Sequence, residues 1–158
     1  ISIAPKDAIT TPASSVLLHE TRPGKSMVRV EINAADTLQL ESLPNIGFGL
    51  ARRIVKYREA LGGFISLKQL CEVYGIRSTL TDSLMPYLTL DASQVRKIRI
   101  NEEDIEVLKK HPYIKYRLAS ALVNYRKQHG PFQSVGDLRK VILMDEATLE
   151  KLAPYLSF

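Results

Sequence analysis

Residues 43–54 read LPNIGFGLARRI. Gly47 and Gly49 stand two apart where a helical pattern begins, and Arg52 and Arg53 follow at once. Glycine has no Cβ, so another group can approach the backbone closely at such positions. A turn ending on a helix N-terminus exposes unpaired N–H groups, and these donors together with the helix dipole attract an anion. The stretch is therefore either a tight joint between two helices or a turn built to hold a phosphate.

The rest of the chain narrows that choice, because the stretch lies inside a repeat. Residues 32–90 align with 100–158 without a gap, at an offset of 68, with 20 identities in 59 positions. Asn33 falls on Asn101, Asp36 on Asp104, Pro44 on Pro112 and Ile46 on Ile114. Tyr57-Arg58 falls on Tyr125-Arg126, Phe64 on Phe132, and MPYL at 85–88 on APYL at 153–156. Agreement this dense over so long a window is duplication. It divides the chain into an N-terminal extension (1–27), a first unit (28–90), a short basic linker (91–99) and a second unit (100–158). The extension carries TTPASS and RPGKS, which is linker composition. Its apolar cluster Val16-Leu17-Leu18 suits a short strand or a helical turn.

Each unit reads as helices. Asn33 and Asp36 form a predicted capping pair for a helix ending near Ser42. Pro44 and Gly47 break it, and a second helix starts near Phe48. There Leu50, Ile54, Tyr57 and Leu61 make one apolar face. Gly62-Gly63 ends that helix. Ser66 caps a third, running through Val73. Tyr74-Gly75-Ile76 turns the chain into a fourth, from about Thr79 to Pro86. Only Met27–Ile32 and Lys97–Ile100 alternate as strands do. Four short helices close a core as two packed hairpins. Tyr57, Phe64, Tyr125 and Phe132 recur at equivalent positions and are expected in the core or at an interface.

The string L-P-x-I-G-x-x-x-A-x-x-I, here Leu43, Pro44, Ile46, Gly47, Ala51 and Ile54, resembles the helix-hairpin-helix motif. The continuation GGF-x-S-x-x-x-L-x-x-V-x-G-I at 62–76, then PYL, is similar to the competence ComEA-type repeat of bacterial DNA-uptake proteins. Two copies, the second degenerate, look most like the ComEA-like proteins of the Bacteroidetes group. The resemblance implies an all-α fold of two tandem double helix-hairpin-helix units, each a SAM-domain-like bundle of four to five helices, after an irregular N-terminal segment. It implies non-enzymatic, sequence-independent binding of double-stranded DNA, with Ile46 as a buried plug and Ala51 allowing close helix approach. The contacts would come from Asn45, Ile46, Gly47, Phe48, Gly49 and Leu50, aided by Arg52, Arg53 and Lys56, and from Gly75 and Arg77 in the second hairpin. A hairpin of this type can also hold a monovalent cation on its carbonyls; no other cofactor is expected. ComEA-type proteins are membrane-anchored or periplasmic DNA receptors, which implies a place outside the cytoplasm.

The other three hairpins depart from the pattern. The second, VYGIRS at 73–78, keeps one glycine and has Arg77 for the other. The third, HPYIKYRLA at 111–119, puts Lys115 and Arg117 where Gly47 and Gly49 stand. Those two cations either replace backbone donors or mark a hairpin kept only for structure. The fourth, VILMD at 141–145, has no glycine, and Asp145 would repel a phosphate. A protein scaffold that partners through the second unit is the alternative to DNA binding.

Composition sets the outer limits. The chain has 158 residues, is 45% hydrophobic and carries net charge +5, with pI near 9.4. Each unit has an excess of only one positive charge and the linker two, so phosphate binding should be weak and salt-sensitive. One cysteine, Cys71, and three scattered histidines, His19, His111 and His129, give neither a disulfide framework nor a metal-ligand spacing. No apolar run approaches the ~20 residues of a membrane helix. The chain opens on Ile1, as a fragment or processed form would. A base-excision glycosylase also uses such a hairpin, but needs a base-flipping pocket and a carboxylate beyond it. Glu59 and Glu72 have no matching lysine or pocket-forming domain, so no enzyme is expected.

Overall fold

Asp36 starts the first helix because its carboxylate accepts from the Gln39 N–H at 2.8 Å while the Gln39 side chain accepts from the Asp36 N–H at 3.0 Å. This reciprocal cap satisfies two of the donors orphaned at a helix start. In the computed structural model, which describes residues 28–158, a two-residue strand β1 (Val30–Glu31) precedes that helix, α1 (Thr37–Glu41). The long helix α2 (Phe48–Leu61) follows, then a 3-10 helix (Leu67–Glu72), α3 (Ser78–Leu84), a 3-10 turn (Met85–Tyr87) and β2 (Leu88–Thr89). The linker holds a 3-10 turn (Ala92–Gln94). The second unit repeats the plan as β3 (Ile98–Arg99), α4 (Ile105–Leu108), α5 (Lys115–His129), α6 (Val135–Leu138), α7 (Glu146–Leu152), a 3-10 turn (Ala153–Tyr155) and β4 (Leu156–Ser157). The fold is all-α, as the sequence implies. The apolar cluster at Val16–Leu18 and the irregular segment 1–27 lie outside the described residues.

Two short ladders close the units. β1 pairs in parallel with β2, Val30 opposite Leu88, and β3 pairs likewise with β4, Ile98 opposite Leu156. Each unit thus ties its beginning to its end just after PYL. Pro86 and Pro154 sit in the 3-10 turns that stop the last helix and redirect the chain into the ladder.

Repeat identities now acquire physical reasons. Asn33 does not share in capping α1. Its side-chain oxygen accepts from the Phe64 N–H at 2.7 Å, and its nitrogen donates to the Phe64 carbonyl at 2.9 Å and the Asp91 carbonyl at 3.0 Å. Asn101 holds Phe132 in the same way, at 2.7 and 2.8 Å. An amide side chain supplies two N–H donors and an acceptor oxygen, so it can pair with both polar groups of one residue's backbone. Arg58 donates to the carbonyls of Ile32 and Ala35, and Arg126 to that of Ile100. The arginine shared by the two repeats is therefore held in place by backbone carbonyls of its own unit. Ala51 and Ala119 are fully buried, as are Ile54, Phe64, Leu84, Leu122, Leu138 and Leu152. Each large side chain so buried contributes roughly 1.5–3 kcal/mol.

The units meet through a closed hydrogen-bond circuit. Gln69, buried in the first unit, donates to the hydroxyls of Tyr113 and Tyr155 in the second, both at 2.9 Å. Its side-chain oxygen accepts from the N–H groups of Ile65 and Ser66. Tyr155 donates onward to the Gly63 carbonyl at 2.8 Å. Tyr57 and Tyr113 both donate to Glu72, at 2.6 and 2.7 Å. Burial, then the Glu72 carboxylate, pushes both tyrosines above their ordinary range, so they stay protonated donors. Every polar atom named has its partner, the condition under which a polar interface specifies one geometry.

Candidate nucleic-acid interface

The first hairpin is formed by Leu43 to Gly47 between α1 and α2. Leu43 and Ile46 are buried, and the Ile46 N–H closes the turn on the Leu43 carbonyl at 3.2 Å. Ile46 is thus the plug, and its N–H is committed, so it is not among the donors open to a ligand. The residue that takes the left-handed backbone is Asn45, at φ 64°, which asparagine tolerates better than most residues. Gly47 has extended backbone, φ −93° and ψ −179°, open to any residue. A Cβ built on Gly47 or Gly49 would meet nothing within 4 Å. Neither glycine is required by the turn. Their effect is to leave the exposed surface over the helix start bare.

That surface is rich in donors. The Gly47 carbonyl accepts from Ala51, and no acceptor among the described residues takes the N–H groups of Gly47, Phe48, Gly49 and Leu50. No side chain caps α2, and its first turn holds no acidic residue. Four unpartnered donors at the positive end of a 14-residue helix favour a nearby negative charge. Beside it runs a groove of about 610 Å³ lined by Phe48, Gly49, Arg52, Arg53 and Lys56. The Arg52 guanidinium lies over the Phe48 ring, 5.5 Å from its centroid. The carbonyls of Pro44, Asn45 and Ile46 accept no hydrogen bond among the described residues, so the hairpin has the oxygen donors a monovalent cation needs.

The second hairpin lies against the first. The Ile76 N–H closes it on the Val73 carbonyl at 3.0 Å, and the Arg77 carbonyl accepts from Thr81. Arg77 stands at the N-cap of α3 with no side-chain cap. Gly75, at φ 94°, is a turn glycine in the strict sense, and a Cβ there would come within 2.9 Å of Arg53 and 3.0 Å of Leu50. Arg53 donates to the Tyr74 carbonyl at 3.3 Å and its guanidinium lies 5.0 Å from the centre of the Tyr74 ring. Arg53 thus bridges the two hairpins. Tyr74 is a site residue that sequence reasoning misses, because no spacing singles it out.

The third and fourth hairpins depart from the first in different ways. In the third, the left-handed residue moves two positions on, to Lys115 at φ 54°. The N–H groups of Ile114 and Lys115 both turn back to the His111 carbonyl, at 3.0 and 3.3 Å. Tyr113, at the position of Asn45, is docked on Gln69 and Glu72. His111, at the position of Leu43, is buried and packs edge-on against Tyr155. Its burial lowers its pKa to about 4, and its Nδ1 accepts from the Tyr113 N–H at 3.2 Å, so the ring is neutral. Lys115 and Arg117 are exposed. In the fourth hairpin, Asp145 accepts from the Thr148 N–H at 2.6 Å. That backbone hydrogen bond holds its carboxyl below the usual range. The helix end that an anion would occupy already holds the chain's own.

The geometry agrees with the comparisons. The chain matches the helix-hairpin-helix motif at residues 25–89 and again at 93–157. It belongs to the helix-hairpin-helix family. Among curated proteins it is similar to the endonuclease/exonuclease/phosphatase family domain-containing protein 1 of Danio rerio, at 28% identity over 78% of this chain. The Mus musculus and Homo sapiens proteins of that name are 27% and 26% identical over the same share. The chain spans about a quarter of the length of these relatives, 26–27%. No solved structure matches. Among the described residues no helix is long and apolar enough to cross a membrane, and no cluster of three or more His, Cys, Asp or Glu has a metal-binding arrangement.

Proposed function

We propose that this helix-hairpin-helix pair binds duplex DNA by its phosphate backbone, without reading sequence, through the first unit. The observation that carries this is the row of four unpartnered N–H groups, Gly47 to Leu50, on a surface kept bare by two glycines that the fold does not require. The Asn45 carbonyl side of the turn, Arg52 and Lys56 flank the row, and Gly75 and Arg77 bring the second hairpin beside it. Two adjacent helix starts suit the two strands across a minor groove. Phosphate contacts position a protein without specifying bases. Lys115 and Arg117 add exposed charge at a helix start whose first N–H, that of Lys115, is turned back on His111, so they rank as secondary contacts.

The segment's role in this reading is binding and not catalysis. The nuclease and phosphatase family in the name of the relatives belongs to proteins about four times this length, and this segment would serve such a protein as a DNA-holding module. Participation in DNA uptake, with a place outside the cytoplasm, is what the ComEA-type resemblance adds. A protein-binding role of the second unit is favoured by one observation: Ile142, at the tip of the fourth hairpin, is 93% exposed.

Anisotropy of a labelled duplex, titrated across salt, tests the proposal. Binding should weaken linearly in log[salt], with a slope of about −2 to −4 for the three or four phosphates these groups can neutralise. Duplexes of shuffled sequence should bind alike. Salt-independent binding, or none, contradicts it.

A further inference from the structure

The linker's charge does not hang free. Its residues fold back on the first unit, where the Arg96 N–H donates to the Gly62 carbonyl at 2.8 Å. This contact explains why Gly62 is glycine: at φ 89°, a Cβ would stand 2.8 Å from the Arg96 carbonyl oxygen. The result is a groove of about 540 Å³ where the two units meet. Lys56, Arg96, Lys97 and Lys110 line it, opposed by Glu59 and Glu103. Lys56 and Glu59 also line the groove that begins at Gly49. The two grooves therefore join along one face of α2, on which Phe48, Arg52 and Lys56 succeed one another at about one helical turn.

The four cations keep their charge for a ligand. Arg96 donates to the Glu59 carbonyl at 3.1 Å and Lys97 to the Pro154 carbonyl at 2.6 Å, both neutral acceptors. Lys56 and Lys110 form no ion pair among the described residues. By contrast the neighbouring Arg99 and Lys109 are neutralised by Glu102 and Glu106. Four cations against two carboxylates leave the groove with an excess of two positive charges, and a cleft of net positive charge draws a polyanion.

We infer that this junction groove is a second phosphate-binding tract, which takes the phosphodiester backbone of the same duplex as it leaves the first hairpin along α2. The inference rests on the hairpin reading above and extends it. The footprint spans both units, and the second unit contributes through Lys110 and through its hold on the linker.

The test is the salt slope of duplex binding by the full 158-residue chain, with Lys110→Gln and with Lys97→Gln/Lys110→Gln. The Lys110 side chain holds nothing else in place, so its replacement leaves the fold intact, and a thermal melt checks the double variant. The slope should shrink by about one in the single and about two in the double variant. Wild-type affinity should also rise between a duplex just long enough for the first hairpin pair and one a helical turn longer. Unchanged slopes with normal wild-type binding overturn the junction tract and leave the hairpin reading standing. Absence of wild-type binding overturns both.

Discussion

Arg77 and Asp145 occupy the same place in the two repeats, at the N-cap of the last helix of each unit. One leaves the helix start open and adds a positive charge; the other closes it with a carboxylate. Gly47 and Lys115 are a second such pair. Around Gly47 the backbone donors face outward and no side chain covers them, whereas the Lys115 N–H is turned back on His111. The same backbone plan occurs twice, and its two helix starts are used differently. The first unit leaves both of its helix starts without a side-chain cap. The second caps one with Asp145 and turns the first N–H of the other back on His111. Tyr113 and Tyr155 of the second unit hold the first through Gln69.

The sharpest way to break this comparison is to cut the circuit that occupies the third hairpin. Gln69→Ala leaves the N–H groups of Ile65 and Ser66 without their acceptor and removes the donor shared by the hydroxyls of Tyr113 and Tyr155, which keep only Glu72 and the Gly63 carbonyl. It should lower stability by roughly 3 kcal/mol, since a buried group left unpaired costs about 1–3 kcal/mol, and urea denaturation measures it. A loss below about 0.5 kcal/mol, within the range of an ordinary surface substitution, would mean that the circuit does not hold the units together.

His111 offers a second handle, because the first unit has Leu43 in its place. A histidine whose folded pKa is lowered to about 4 is bound neutral, against an unfolded value near 6.5. Its contribution is complete above pH 6.5 and is lost as pH falls toward 4, where the unfolded chain binds the extra proton. Between about pH 7 and pH 4.5 this amounts to roughly 2 kcal/mol. His111→Leu should remove that part of the acid sensitivity. Parallel pH profiles for the variant and the wild type would refute the neutral, buried ring.

The hairpins themselves come next. Gly47→Ala/Gly49→Ala adds two methyl groups to empty space, so melting should hardly change. Duplex affinity should fall at least tenfold, about 1.4 kcal/mol, because the methyls cover the donors. Lys115→Ala/Arg117→Ala should cost about twofold, as the loss of two exposed charges in the first turn of α5 does where the Lys115 N–H is already engaged by His111. Equal losses in the two variants would erase the distinction between the units. The smallest effect belongs to Asp145→Asn. Removing the carboxylate should weaken the cap of α7 slightly and raise duplex affinity slightly, and a melt and a duplex titration of the variant measure both. The cap's contribution is present above the ordinary carboxyl pKa and lost as pH falls through the lower folded value.

The first hairpin is legible in the sequence because its signals are local. Proline, asparagine and two glycines fall within six residues, and their chemistry acts within that span. The helix starts at Asp36 and Ser66 are legible for the same reason. The purpose of the glycines is only half readable: the sequence shows that they lack a side chain, and the open space above them comes from the tertiary fold. Asn33 looks like a cap from sequence because its true partner, Phe64, is 31 residues away. Of the ladder strands, β1 and β3 lie within the two stretches that alternate, whereas β2 and β4 escape because two residues are too few to display a period of two. The occupied third hairpin is invisible to local reading. Gln69 and Tyr155 are 86 residues apart, and nothing near Tyr113 announces that its ring faces the other unit. Lys110 is lost in the even charge balance of the second unit, since its setting in a shared groove is a property of the assembled pair.

The difference between the two units can be read at each backbone amide by NMR during a duplex titration. If the first unit alone leaves its helix starts open, the amides of Gly47 to Leu50 move most and those of Arg77 to Leu80 next. Those of Ile114 to Leu118 and Asp145 to Leu149 then move little or not at all. Comparable shifts at all four helix starts, or the largest at Lys115, would contradict that division.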